Sequence, residues 1–211
     1  MQTRSSSGLS ATGVELNLPT AQANKFLAIP GFEILADGLA KPALRIFNPG
    51  DVAASSLVTF MGSGTNSDVV QVDVPAGGFT EVTPDLQVGD YLVMIESDSE
   101  VMAELFNPYV GENFDFGWLT PAHAFTGKMA MVIPKFAAKL AIANPSDQAI
   151  TLVLTLDAGT QAISVPARSQ LLVPVSGTSL LLESSSEYLV NLALTDPKGY
   201  AVITPRENQN L

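Results

Sequence analysis

The chain has 211 residues, with 21 Asp and Glu against 10 Lys and Arg, for a formal net charge of −11. That balance argues against binding nucleic acid, because phosphate contacts need clustered Lys and Arg. It has no Cys and a single His, so a disulfide framework, a Cys-ligated zinc site and thiol catalysis are excluded.

Residues 1–25 read as an extended polar arm, rich in Ser, Thr, Gln and Asn. No apolar run follows Arg4, so no signal peptide is expected. No run anywhere reaches the ~18–20 apolar residues that span a bilayer, so no membrane insertion is expected. Within the arm, Val14-Glu15-Leu16-Asn17-Leu18-Pro19 alternates and suits a strand added to a sheet edge. Val14, Leu16 and Leu18 are therefore candidates for contact with a partner chain.

A first β-rich unit is expected over 26–121. Leu44 and Ile46 alternate with smaller or charged neighbours before the turn Asn48-Pro49-Gly50-Asp51. Residues 36–43 could hold one short turn, and no capped helix is found. Gly62-Ser63-Gly64-Thr65 lacks the Lys and helix of a phosphate loop and reads as a hairpin loop. Val70, Val72 and Val74 alternate ahead of the turn Pro75-Ala76-Gly77-Gly78. Glu96, Asp98 and Glu100 recur at period two, which places them on one side of a strand. With Asp90 they make a weak Ca²⁺ candidate, since oxygen-rich loops bind that ion. The Asp-x-Asp-x-Asp-Gly spacing is missing, so a solvated acidic face is the expected reading and no metal is assigned. Phe106-Asn107-Pro108-Tyr109 and Phe114-Asp115-Phe116-Gly117-Trp118 read mainly as core, with Tyr109 as a possible exposed contact. Residues 122–129 are expected to be a short, partly apolar linker, of the kind that goes with docked units.

A second unit, over 130–211, repeats the first. Ala43-Leu44-Arg45-Ile46-Phe47-Asn48-Pro49 matches Lys139-Leu140-Ala141-Ile142-Ala143-Asn144-Pro145. Val72-Asp73-Val74-Pro75-Ala76 matches Ile163-Ser164-Val165-Pro166-Ala167. Ile95-Glu96-Ser97 matches Leu182-Glu183-Ser184, and Trp118-Leu119-Thr120-Pro121 matches Val202-Ile203-Thr204-Pro205. Upstream, Ile29-Pro30-Gly31-Phe32 matches Ile133-Pro134-Lys135-Phe136. The order is the same in both halves, the mark of a duplicated module. One rival register aligns Asp90-Tyr91-Leu92-Val93 with Glu187-Tyr188-Leu189-Val190. The expected fold is all-β: two tandem antiparallel β-sandwich units from an internal duplication, preceded by the arm. One larger sandwich with a shared core is the alternative.

Charge is uneven. The first unit carries fourteen acids against Lys41 and Arg45, whereas the second has five acids and four bases up to residue 205. A weakly charged β surface suggests that the second unit packs on something.

Catalysis is not expected. His123 lies between the units, without a Gly-x-Ser-x-Gly nucleophile to serve. Carboxylates are plentiful, but only one Trp is present to platform a sugar. No cofactor is called for.

The duplicated units resemble the tandem immunoglobulin-like β-sandwich modules found on virions and microbial surfaces. That resemblance implies a non-enzymatic structural or assembly protein that binds other protein chains, itself included. The first expectation is a virion component such as a phage capsid decoration, cement or tail protein. On that reading the arm and the second unit anchor the protein and the acidic unit faces solvent. Alternatives are a secreted or cell-surface adhesion module and, third, a carbohydrate- or lipid-binding module.

Overall fold

The computed structural model describes residues 23–34, 41–62, 67–110, 114–135, 137–196 and 199–205. The arm before residue 23 lies outside them, as do Val14, Leu16 and Leu18, most of the 36–43 turn and the tip of the first hairpin.

The described chain is all β. The first unit consists of β1 (Asn24–Ile34), β2 (Ala43–Phe47), β3 (Ala54–Gly62), β4 (Ser67–Val74), β5 (Phe79–Val82), β6 (Gly89–Val110) and β7 (Phe114–Leu119). The second consists of β8 (Phe125–Val132), β9 (Ala137–Asn144), β10 (Ile150–Leu156), β11 (Gly159–Val165), β12 (Ser169–Val175), β13 (Ser179–Asp196) and β14 (Gly199–Ile203). Every pairing is antiparallel. The orders β4-β3-β6-β2-β5 and β11-β10-β13-β9-β12 are the same path in each unit, with β1 and β7, or β8 and β14, added on the long central strand. The order differs from the ABED/CFG arrangement of immunoglobulin constant domains.

The long strands β6 and β13 make each unit two-layered. The first half of β6 pairs with β1 and β3, and its second half with β2 and β7. Layer I is therefore β1, β3, β4 and the start of β6; layer II is β2, β5, β7 and the end of β6. The counterparts in the second unit are layer I′ (β8, β10, β11, start of β13) and layer II′ (β9, β12, β14, end of β13). Inward residues at period two fill one core per unit, as alternation predicts. Phe32, Val58, Phe60 and Ile95 of layer I meet Leu44, Ile46, Leu105 and Leu119 of layer II. Leu152, Leu154 and Leu182 meet Leu140, Ile142 and Leu192 in the second unit. The two buried clusters are distinct, and Val202 of β14 packs against the edge of the first, where β14 runs beside β7.

Pairing registers settle the repeat. Val58 opposes Ile95 and Leu154 opposes Leu182; Leu44 opposes Leu105 and Leu140 opposes Leu192. The Ile95/Leu182 alignment is thus correct and the Tyr91/Tyr188 alignment is not. The upstream match is out of register. Ile29 sits in β1 opposite Val93, whereas Ile133 follows the end of β8 and its backbone N–H donates to Thr178 O at 2.9 Å. A bulge between Ile29 and Phe32, with Gly31 at φ +86, has no counterpart there. The 122–129 linker is also shorter than expected, because β8 starts at Phe125 and pairs with β13.

Two sequence motifs acquire physical roles. The Asn of each Asn-Pro turn is fully buried and closes it. Asn48 Nδ2 donates to Val52 O and Val74 O, and its Oδ1 accepts from Gly50 N–H. Asn144 repeats this with Gln148 O, Val165 O and Ser146 N–H, adding Pro166 O. The Glu-Ser motif lies where the long strand passes between layers. Ser97 Oγ donates to Ser55 O and, at the equivalent place, Ser184 Oγ donates to Thr151 O. A small hydroxyl satisfies a backbone carbonyl that the ladder loses at the bend.

Two buried tyrosines differ in a way that can be measured. Tyr91 OH donates to Gln87 O at 2.8 Å, whereas Tyr188 OH has no partner and burial pushes its pKa up to about 12. Tyr91→Phe is expected to cost about 1 kcal/mol. Tyr188→Phe is expected to be neutral or stabilising by about 1 kcal/mol, since it removes an unsatisfied buried hydroxyl. Urea unfolding of the two variants checks the opposite signs.

Candidate functional site: sheet faces and the junction between units

Layers I and II′ dock face to face. Ala28 on β1 and Leu92 and Met94 on β6 point away from their own core and are buried against Ala143 on β9 and Leu189 on β13. Alternation explains this: their neighbours Leu27, Val93, Ile142 and Val190 face the two cores. The β1 bulge anchors the contact. Gly31 N–H donates to Gln170 Oε1, and Asn191 Nδ2 donates to Pro30 O, both at 2.8 Å. A Cβ on Gly31 would stand 3.1 Å from Ala141 Cβ, and its φ is left-handed, so glycine is needed here. Gln170 Nε2 and Asn191 Oδ1 stay buried and unsatisfied at the junction.

Charges rim the contact. Lys139 Nζ of the second unit lies 2.7 Å from Glu33 Oε1, and Arg168 lies 3.7 Å from Glu96. Arg168 also bonds Asp147 and has φ +47, at the repeat position that Gly77 holds in the first unit with φ +60. Both backbones make the same turn bond, Gly77 N–H to Gly50 O and Arg168 N–H to Ser146 O. The second unit thus holds a non-glycine residue in the left-handed region, costing about 1 kcal/mol, where its guanidinium reaches the first unit.

Asp90 lies beside Glu33 in the β1–β6 pairing. Burial raises its pKa above the usual 3.8, Glu33 adds to the shift and Lys139 opposes it. A folded-state carboxyl raised in this way favours folding fully below its unfolded value, and that contribution is lost as pH rises through the folded value. Asp90→Asn is therefore expected to be more stable than the parent at pH 7 and no more stable below pH 3.8. Thermal melts across that range check the sign.

The acidic residues do not converge with Asp90 on one place. Glu96, Asp98 and Glu100 are exposed along one side of β6; Glu96 faces Arg168, and Asp98 Oδ1 accepts from Ser55 N–H. Among the described residues no three His, Cys, Asp or Glu side chains are grouped to hold a metal ion. His123 is exposed between β7 and β8. Tyr109 lies in β6 opposite Asp115 of β7. Among the described residues no helix is long and apolar enough to cross a membrane.

Layers II and I′, the repeat counterparts of the docked pair, present open outer faces. On layer II, Phe79 and Phe47 pair across β5 and β2, 63% and 39% exposed, with Met102 next to Phe47 on β6. Beside them Arg45 bridges Glu81 and Glu104 and lies over the Trp118 ring at 5.5 Å. Phe106 packs edge-on against Trp118. Phe106 and Trp118 were expected in the core; they are half-buried on this outer face, because Leu105 and Leu119 take the inward positions. Layer I′ is flatter: Ala130, Val153 and Leu181 share its face with Thr155 and a Lys128–Glu183 pair.

These features define a duplicated two-layer β protein whose units are joined sheet on sheet. The profile of a family of unknown function, DUF5719, matches residues 1–139, and the chain belongs to that family. A solved structure, Thermotoga maritima 1070, is similar over 46% of this chain and 91% of its own, with 20% identity and a TM-score of 0.40. No curated protein matches.

Proposed function

We propose that this protein is a non-enzymatic structural module that binds other protein chains through its sheet faces within a larger assembly. The observation that carries this reading is the I–II′ junction. The repeat is built to dock sheet on sheet, and both counterpart faces carry apolar side chains toward solvent. Exposed aromatic pairs such as Phe47 and Phe79 are what protein interfaces bury. The setting we favour is a virion, where an acidic, duplicated β module decorates or cements a shell; a cell surface is the second. The finer resemblance to surface-decorating sandwich modules belongs to this proposal.

The test is co-sedimentation. Native source material is separated on a density gradient and the protein is located by mass spectrometry. Travel with a nucleic-acid-containing particle and its shell protein supports the virion setting. Travel with envelope material moves the module to the cell surface. Recovery alone in the soluble fraction, at all salt concentrations, overturns the assembly reading.

A further inference from the structure

We infer that layer II of one copy receives layer I′ of a second copy, so that the chain associates head to tail through the faces equivalent to those joined inside the chain, without the Gly31, Gln170 and Asn191 bonds, which have no counterpart there. This rests on the assembly reading above and names its partner. The repeat supplies the argument. Layer I docks on layer II′, and layer I′ and layer II are their equivalents by strand order and register. A unit whose two outer faces fit each other leaves one of each kind open at the ends of a pair. Such a contact is heterologous: it joins two different patches and does not close on itself as a two-fold dimer does.

The side chains at equivalent positions trade volume. On the receiving face, Ala143 of layer II′ is replaced by Phe47 of layer II, and Gln170 by Phe79. On the entering face, Leu92 of layer I is replaced by Ser179 of layer I′, and Met94 by Leu181. The receiving face gains two large side chains; on the entering face Ser179 leaves room where Leu92 stood, and Leu181 keeps the volume of Met94. Charge favours the same pairing. Two copies of layer II face to face would set Glu81 and Glu104 against their own counterparts, whereas layer I′ presents a balanced Lys128–Glu183 pair. It also sets the acidic first unit of one copy on the weakly charged second unit of the next, rather than on another acidic unit.

The test uses the full chain. Sedimentation velocity is run from about 1 µM to about 1 mM, which spans weak specific affinities. Trp118, the only Trp, stands on layer II and reports burial through its emission. The inference requires mass to rise with concentration and Trp118 emission to shift to the blue. Phe47→Ser with Phe79→Ser spoils layer II alone, and Val153→Lys with Leu181→Lys spoils layer I′ alone. Circular dichroism first confirms that both doubly substituted chains fold. Each is expected to stay monomeric by itself. Mixed, they are expected to form a one-to-one complex that grows no further, because one intact face of each kind remains. A parent chain monomeric at every concentration, or variants that still dimerise alone, overturns the inference. A monomeric chain that still travels with a particle in the gradient leaves the assembly reading standing, so the two failures are distinguishable.

Discussion

Asn144→Ala is expected to lower the unfolding free energy by about 4 kcal/mol, and Asn48→Ala by about 3 kcal/mol. Both side chains are fully buried and serve as internal partners for the backbone. Asn144 Nδ2 reaches Gln148 O at 2.7 Å, Pro166 O at 2.9 Å and Val165 O at 3.2 Å, while its Oδ1 accepts from Ser146 N–H and Oγ. Asn48 makes a smaller set, to Val52 O, Val74 O and from Gly50 N–H. Alanine leaves the buried carbonyls of Val74 and Val165 without this partner and opens the turn, and that loss exceeds the ordinary net worth of a hydrogen bond. Asp does not rescue either position: it keeps an acceptor for the turn N–H but cannot donate to the carbonyls, and it buries a charge. Chemical unfolding of each Ala and Asp variant is the measurement. An Asn48→Ala protein as stable as the parent would remove the explanation of why Asn-Pro recurs in the repeat.

That pair also shows what the sequence made legible. Alternation of apolar residues around Leu44 and Leu140 marks strands with one buried face, and period two leaves little freedom over which residues fill the core. Asn-Pro also occurs at Asn107-Pro108, so it is the alternating apolar run before Asn48-Pro49 and Asn144-Pro145 that fixes the alignment of the halves. The Glu-Ser match holds because a bend between layers makes the same demand in each unit. Ile29-Pro30-Gly31-Phe32 misled because the first unit's bulge shifts its register there. Phe106 and Trp118 misled because large aromatic residues suggest a core, whereas their parity in β6 and β7 turns them outward.

The junction was less legible. Gln170 and Asn191 have the composition of solvated strand positions, yet they bond the backbone of another unit, at Gly31 and Pro30. Ala28, Ala141 and Ala143 are as small as any surface alanine. They are buried because a second sheet lies over them, and period two reveals only which face a residue is on. What could have been noticed is the even spread of small and apolar residues on both faces of β9. Leu140 and Ile142 face one side and Ala141 and Ala143 the other, and all four are buried. A strand covered on both faces loses its polar alternation.

Leu189→Asp is expected to uncouple the two units without unfolding either. Leu189 is 3% exposed and belongs to the cluster between layers I and II′, not to either core. A carboxylate there would be desolvated against Leu92 and Met94 with no cation among the residues of that cluster. The cost of burying an unpaired charge, about 3–5 kcal/mol, falls on the junction, where opening returns the carboxylate to water. Within each unit the inward neighbours Tyr188 and Val190 are unchanged. The parent is expected to unfold in one step, since Lys139–Glu33 and the Gly31 and Asn191 bonds tie the units. In the variant, Trp118 emission reports on the first unit and its β7–β14 contact while far-ultraviolet dichroism follows both units, so the two urea curves are expected to separate. Leu189→Ala, which removes contact without adding charge, is expected to keep them together at a loss of about 2 kcal/mol. Coincident curves for Leu189→Asp would mean that contacts outside this cluster, such as β7 with β14 and Val202 on the first core, hold the two halves as one cooperative body.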